Sequence, residues 1–446
     1  MALYAFDGTS KEDEIADEHD SNIVRFARAY RGTRVYLPGV GTRFGTPGAI
    51  LGGWLGLGLH QRVSEAMKAL RRNLQRGDAV IDVIGFSRGA AAAVHFANEV
   101  WESIGGKKGS DPAIRFLGLF DTVASTGIIP GPFDINLDLE VPPNVRRCCH
   151  AMALDEGRAS FHVHRMKPRK KDTLPPDAIE EVWFRGCHSD IGGGDKHDPL
   201  ANITLCWMLR RAAAAGASFD KDAVEGALAR RDRAAEVTRA RFDEGLKKRQ
   251  TRPGDFVHSS VIPREGNGKP WHVNPAAGCQ VIDDVGASSG PFPGAGDWPR
   301  TPEAAWSPAL VPARTLAVGD TPISLEVFAD TEWNELPQVL LEKGATYRFT
   351  VTGGPHDWID GKITATNGAD GYNHDALDKF KHLARFRDAG WFALIGAVDR
   401  DELFAIKRGC DYTPTQTGEF SCFANDAWGK YDNNRGRLTL SVERIA

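Results

Sequence analysis

Residues 79–101 read AVIDVIGFSRGAAAAVHFANEVW, and their reading decides the fold. An apolar, β-branched run at 79–84 gives way to Gly85-Phe86-Ser87-Arg88-Gly89 and then to an alanine-rich, helix-forming stretch. Strand, sharp turn and helix with a serine at the turn make a G-x-S-x-G elbow, in which strained backbone pushes the hydroxyl out above the end of a sheet. Gly85 and Gly89 carry no Cβ, so strand and helix can approach closely around the turn. The first N–H groups of the helix have no intrahelical partner and point back at the serine, where they can stabilise an oxyanion. Ser87 is therefore the candidate nucleophile. A plain Gly-Ser turn in a β–α unit is the competing reading of these five residues taken alone.

The chain around this stretch has 446 residues, enough for two or three domains and a large core. A formal net charge of −4 argues against a dedicated nucleic-acid binder, so no nucleic acid is expected as partner. Seven cysteines are scattered without a C-x-x-C pair or zinc-like spacing, which suits free thiols in a reducing compartment. Residues 1–7 are too short and too soon acidic for a signal peptide and read as a first strand, so synthesis in the cytoplasm is expected. The most apolar stretch, 49–59, is Gly-rich and much shorter than the ~20 residues of a membrane span.

Upstream of the elbow, strands are expected at 3–6 and 33–37 and helices at 21–30 and 61–74. An acidic, exposed run lies at 12–20, and 45–58 reads as a loop or short apolar lid. Downstream, strands are expected at 114–120 and 181–184, the latter ending in a loop at 186–190, and a helix at 199–215. Alternating strands and helices predict an α/β fold with a mostly parallel, doubly wound sheet over residues 1–265. Every chemically interesting residue falls just after a strand, the edge where such sheets bind ligands. The mixed-charge stretch 217–252 reads as a solvated helical surface. Residues 266–314, rich in Pro, Gly and Ala, read as a poorly structured connector. Short strand-like runs at 323–328, 346–352, 391–398 and 438–443 make 315–446 an all-β sandwich.

A serine needs a base, and the base an orienting acid. Asp121 ends the strand after the elbow helix and His188 follows the next strand; Ser87, Asp121, His188 is the α/β-hydrolase order. An aspartate after a strand is also an ordinary turn former. His258 is the main rival base; His95, within the elbow helix, reads as packing or surface, His150, His162 and His164 are placed by no motif, and Asp190 is a rival acid or an orienter of the His188 loop. The oxyanion donors would be the backbone N–H of Arg88 and, from the loop Asp7-Gly8-Thr9, that of Gly8.

These motifs resemble, in order over roughly residues 3–264, the catalytic domain of the phospholipase effectors of the type VI secretion system, a group with an α/β-hydrolase domain. The matching segments are Phe6-Asp7-Gly8-Thr9, Gly39-Val40-Gly41-Thr42, Gly85-Phe86-Ser87-Arg88-Gly89-Ala90, the strand end at Asp121-Thr122-Val123, Asp155-Glu156-Gly157-Arg158, Gly186-Cys187-His188-Ser189-Asp190, the helix segment 204–209 and Val257-His258-Ser259-Ser260. The resemblance implies Ser87, Asp121 and His188 as triad and hydrolysis of glycerophospholipid esters, of phospholipase A type. Export by that secretion system, with a secretion component or an immunity protein as partner, is one expectation, but it does not follow from the resemblance, because the domain also occurs outside that system.

The segment 420–436 is dense in oxygen-bearing side chains between two strand-like runs, a composition that suits calcium; a polar turn without an ion is the competing reading. The same segment, with 391–396, resembles the end of the calcium-dependent, galactose-binding bacterial lectins of jelly-roll type. By that resemblance Asp426, the carbonyl of Lys430, Asn433 and Asn434 would hold calcium, and calcium a glycan; no cofactor is implied for catalysis.

The expected protein is thus a serine esterase or phospholipase fused to a sandwich that binds substrate or partner, with a phospholipid membrane surface as substrate. The run 49–59 would line the acyl-chain entrance or be ordinary core. The basic cluster 167–171 would meet lipid head groups or be a solvated loop. A carbohydrate or other non-lipid esterase, and a catalytically inactive glycan-binding protein, are the alternatives.

Overall fold

The computed structural model describes residues 1–8, 20–39, 52–105, 113–124, 137–159, 161–169, 174–194, 199–231, 237, 248–261, 273–284, 288–291, 310–311, 314–361 and 368–446. Thr9, the acidic run up to His19, residues 40–51 and most of the basic cluster's lysines (170 and 171) lie outside them. The chain divides into two compact units, Met1–Val311 and Pro312–Ala446.

The first unit is built on a nine-stranded sheet. Its first six strands in chain order are β1 (Ala2–Phe6), β2 (Thr33–Leu37), β3 (Ile81–Phe86), β4 (Ile114–Phe120), β5 (Cys148–Ala153) and β6 (Ile179–Phe184). A short β7 (Phe219–Asp220) lies off the sheet, and β8 (Phe256–His258), β9 (Gln280–Ile282) and β10 (Ser288–Pro291) complete it. The order is β10-β9-β8-β6-β5-β4-β3-β1-β2, parallel throughout except for the β9–β10 pair. The connecting helices are α1 (Asn22–Ala29), α2 (Gly52–Gln75), α3 (Arg88–Val100), α4 (His188–Gly192), α5 (Pro199–Ala214) and α6 (Lys221–Ala229).

Alternation along the strands separates two cores, as a period of two requires. Leu3, Ala5, Ile84 and Phe86 face the layer of α1, α5 and α6, whereas Ala2, Tyr4, Phe6, Ile81 and Val83 face α2 and α3. The architecture is therefore the doubly wound α/β one. From β1 the chain runs outward to β2, then returns past β1 to β3, so the switch point lies between the carboxyl ends of β1 and β3. That is the crevice where such sheets take ligands.

Three segments depart from the expected pattern. Strand β5, CCHAMA, lacks β-branched and aromatic residues, and its buried place between two parallel neighbours makes it a strand. Helix α2 begins at Gly52, inside the expected loop; each residue added to a formed helix gains a hydrogen bond, which offsets the ~1 kcal/mol a glycine costs. The expected connector supplies β9 and β10 to the large sheet, and its Leu310–Val311 (β11) pairs with β7, so this stretch belongs with the first unit. Its Pro and Gly content hides strands that are short and at the sheet's edge. Among the described residues no helix is long and apolar enough to cross a membrane.

The second unit is a sandwich of two five-stranded sheets. Its strands are β12 (Arg314–Thr315), β13 (Ile323–Phe328), β14 (Asn334–Leu341), β15 (Tyr347–Thr352), β16 (Trp358–Ile359), β17 (Leu394–Val398), β18 (Glu402–Ala405), β19 (Gly409–Tyr412), β20 (Gly418–Ala424) and β21 (Arg435–Arg444). One sheet runs β12-β14-β20-β17-β18; the other runs β13-β21-β15-β19, with β16 added to β21. Phe349, Leu438, Leu440 and Val442 of one sheet share a core with Leu394, Phe404 and Phe420 of the other.

Candidate active site

Strand β3 delivers Ser87 at φ 58° and ψ −123°, outside the regions open to ordinary residues. The glycines around it have no room for a side chain. A Cβ on Gly85 would lie 2.6 Å from Ala90 Cα, and one on Gly89 would lie 2.4 Å from the carbonyl oxygens of Phe6 and Asp7. Closeness of α3 to the ends of β3 and β1 thus requires glycine at both positions. The N–H of Ser87 donates to Phe120 O at 3.0 Å, and that of Val123 to Ser87 O at 3.3 Å, so the β3 and β4 ends are clamped together. Asp121, at φ 41°, comes next along β4.

His188 opens α4 after β6. Its main chain is fixed by Glu156, whose Oε2 accepts the His188 N–H at 3.2 Å, and the loop by Asp190, whose Oδ2 accepts the Cys187 N–H at 2.8 Å. Its ring lies between those of Phe86 and Phe161, with centroids 4.7 and 4.9 Å away. Nδ1 is 2.6 Å from Asp121 Oδ2, and Nε2 is 2.8 Å from Ser87 Oγ. An ionised carboxylate can only accept, so Nδ1 carries the proton and Nε2 is left to accept from the Ser87 hydroxyl. All three side chains are buried. The structure therefore brings Ser87, Asp121 and His188 into one hydrogen-bonded chain at the switch point.

Arg249 completes this arrangement from a stretch read in the sequence as solvated surface. It is buried, and its guanidinium forks onto Asp121, with Nη1 2.5 Å from Oδ1 and Nη2 3.0 Å from Oδ2. Burial pushes the Asp121 carboxyl up, but the Arg249 charge and the His188 hydrogen bond outweigh it and hold the group well below the usual carboxylate range. Only mixed-sign composition marked this stretch, and a lone arginine in such company carries no signal of burial. Asp155 and Glu156 follow the end of β5. Asp155 accepts from Arg185 (2.6 Å) and from the Gly186 N–H (2.8 Å), which ties the end of β5 to the loop that carries His188.

Of the oxyanion candidates, Arg88 is the first residue of α3, so its N–H has no intrahelical acceptor. Gly8 lies against the nucleophile, since a Cβ placed on it would be 3.5 Å from Ser87 Cβ. Its N–H, however, donates to Asp7 Oδ1 at 2.6 Å and is not free as it stands.

The rival residues are engaged elsewhere. His258 is stacked on Phe184, with Nε2 2.9 Å from Asp284 Oδ1 and Nδ1 3.0 Å from Ser260 Oγ. His150 accepts the Thr122 N–H at Nε2 (3.1 Å), with Nδ1 3.1 Å from Glu181. His95 accepts the Asp138 N–H at 3.3 Å on α3, the main chain of His164 pairs with Thr122, and His162 is exposed.

In the second unit, Asp426 is buried, with Oδ1 accepting the Ala427 N–H (2.7 Å) and Oδ2 the Asn434 side-chain amide (3.0 Å). The Asn433 amide donates to Asp360 Oδ1 at 3.2 Å. Lys430 stands at the start of the turn Tyr431–Asn433 and donates its N–H to Ala427 O at 3.1 Å. The sequence reading missed Asp360, which follows the distant strand β16 and joins the loop only in the fold. Burial pushes the Asp426 carboxyl up to about 6, against its two hydrogen bonds and with the Asp360 charge adding to the rise. Asn434 Oδ1 is buried with no partner among the described residues. Among the described residues no three His, Cys, Asp or Glu side chains form a metal cluster, so this group of two carboxylates would rely on amide and carbonyl oxygens.

Residues 3–106 and 98–211 match the profile of a family described as T6SS, phospholipase effector Tle1-like, catalytic domain. The matched span carries the elbow, the Asp121 strand end and the His188 loop, and ends before Arg249. Over 57 residues the chain is 42% identical to an uncharacterised protein of Saccharomyces cerevisiae, a match that covers 12% of this chain and 8% of that protein. It is also similar to the Tle1 effector in its complex with the VgrG spike of the type 6 secretion system, at 27% identity and a TM-score of 0.31, over 43% of this chain and 50% of that one. A third similarity is to the N-terminal domain of EclA, a PllA-like lectin, at 18% identity and a TM-score of 0.22, over 28% of this chain and 97% of the domain. The chain thus spans half or less of the length of the first two of these proteins.

Proposed function

We propose that this chain is a serine hydrolase that cleaves carboxylic esters of glycerophospholipids. The observation that carries the reading is the relay from Asp121 through His188 to Ser87, at 2.6 and 2.8 Å, on a strained strand–helix elbow. Ser87 Oγ attacks the ester carbonyl while His188 Nε2 takes its proton, and Asp121 holds the imidazole in the required tautomer. The N–H of Arg88 meets the developing oxyanion, and that of Gly8 joins it once it leaves the Asp7 carboxylate. His188 returns the proton to the departing alcohol, then activates the water that hydrolyses the acyl-serine. The phospholipid substrate is supported by the family match over residues 3–211. The reading includes export by a type VI system with a spike component as partner, an assembly of the kind named for the Tle1 structure. Lipid analysis of phosphatidylglycerol and phosphatidylethanolamine vesicles tests the proposal: wild type should release fatty acid and Ser87→Ala should not. Cleavage of acetylated sugars without any phospholipid cleavage would refute the lipid reading.

A second role is proposed for the C-terminal unit, where Asp426, Asn433, Asn434 and the carbonyl of Lys430 would hold one calcium ion. The orphaned, buried Asn434 Oδ1 favours it. Turning the Asn433 amide would present its oxygen as well, and Asp360 beside Asn433 would add the second negative charge that a lone carboxylate lacks. Bound there, calcium would supply a site for the vicinal hydroxyls of a glycan. Calorimetric titration of the protein should give calcium binding that Asp426→Ala abolishes; no heat at millimolar calcium would sink the site.

A further inference from the structure

We propose that Arg249 is a positioning residue of the reaction, whose anchored guanidinium turns and fixes Asp121 as the acceptor for His188 Nδ1–H. The inference rests on the serine-hydrolase reading. Its support is geometric. Nη1 donates to Ala153 O at 2.7 Å and Nη2 to Phe161 O at 2.6 Å, so two backbone carbonyls hold the guanidinium in place. The remaining donors of the fork reach the two Asp121 oxygens, Nη1 to Oδ1 and Nη2 to Oδ2, the oxygen that His188 also contacts. With the Ala153 N–H on Oδ1 at 2.9 Å, each oxygen accepts two hydrogen bonds, and the carboxylate plane has one orientation.

A merely structural ion pair would also be buried, so the chemistry must separate the two roles. Asp121 is faced by His188 from α4, by Arg249, by the Ala153 N–H from β5 and, at longer range, by Arg158. His188 is faced by Asp121 and Ser87, by the carboxylate of Glu156 at its main chain, with Arg158 paired to that carboxylate, and by Cys187 and Asp190 of its own loop. Among the described residues, Arg249 is thus the cation in direct contact with Asp121. Without it, a fully buried carboxylate loses its main compensation and takes up a proton at a higher pH. Protonated, it no longer accepts the Nδ1–H, and the relay to Ser87 fails. Arg249 also joins the Asp121 strand end to Phe161, whose ring packs on His188, so one side chain sets both the acceptor and one wall of the base.

The test is hydrolysis of a p-nitrophenyl ester by the full chain across pH, with Arg249→Gln and Arg249→Lys. Glutamine keeps donors for the carbonyls but removes the charge. Its kcat should fall roughly ten- to a hundredfold with KM nearly unchanged, and its acid limb should move up by about one pH unit or more. Lysine keeps the charge without the fork, so its acid limb should stay near wild type while kcat falls severalfold. An Arg249→Gln limb that coincides with wild type overturns the proposal. Should Arg249→Gln not fold by thermal melt, the lysine variant decides: a wild-type kcat overturns the positioning role, and a lowered kcat with an unmoved limb supports it. If Ser87→Ala hydrolyses the ester as fast as wild type, the serine-hydrolase reading fails, and this inference with it.

Discussion

Ser87 and Asp121 both sit at positive φ, 58° and 41°, at the ends of neighbouring strands. For a residue with a Cβ each such conformation costs of order 1–3 kcal/mol. The strain holds the hydroxyl and the carboxylate at the positions the imidazole needs. Two variants that both lack the hydroxyl should therefore differ in stability: Ser87→Gly should resist urea better than Ser87→Ala, by about 1 kcal/mol, and neither should hydrolyse ester. Equal midpoints would mean the elbow is unstrained. His188→Ala and Asp121→Asn should each lower kcat by about a thousandfold or more, with losses that do not add when combined. His258→Ala should keep turnover within a few fold yet lose roughly 1–3 kcal/mol, because it leaves the buried Asp284 short of a partner. Turnover lost with His258 and kept without His188 would exchange their roles. These three catalytic candidates were legible because each follows an apolar run and carries a chemically distinctive group. Arg249 was not, since its burial depends on a carboxylate far away in the chain, and Asp360 escaped for the same reason.

At the scale of elements, the site depends on how closely α3 approaches β1. The Phe6 and Asp7 carbonyls occupy the space that a side chain at Gly89 would need, with 2.4 Å left for a Cβ. Gly89→Ala should push the helix from the β1 end and cost about 1–3 kcal/mol or more. Activity should fall with it, since the Arg88 N–H moves with the helix. Gly192→Ala is the matching case on the other side, where a Cβ would fall 2.1 Å from the Phe86 ring that packs on His188. A fully active, wild-type-stable Gly89→Ala protein would show that the helix can move without harm. Strands β1 to β4, β6 and the elbow were readable because runs of β-branched, aromatic and other apolar residues end there in turn signals. Strand β5 was not, because only burial makes a strand of Cys, His, Ala and Met. β14 hid behind Pro337 at a point where its register with β20 shifts.

For the whole molecule, two units with separate cores should melt separately. Calcium should raise the transition of Pro312–Ala446 and leave that of Met1–Val311 unmoved, as differential scanning calorimetry would read; a shift of both would contradict a site confined to the second unit. The pH dependence follows from Asp426, whose carboxyl is raised to about 6 in the fold. A raised carboxyl favours the protonated form, so its stabilisation is full below the ordinary carboxylate value and is lost as pH rises through about 6. Calcium needs the ionised form, so its affinity should drop on acidification below about 6, and equal heats at pH 5 and 7.5 would exclude Asp426 as a ligand. The first unit carries a different consequence. Gly8, Ser87, Asp121, His188 and Arg249 are contributed in that order along the chain, and the last lies near the end of the unit's sheet-forming sequence. While the ribosome is still making this unit, the emerging chain has the nucleophile long before it has the arginine that orients the acid. On the proposed function, a copy that ends before Arg249 lacks the guanidinium that orients Asp121, so it should hydrolyse ester more slowly than the finished unit.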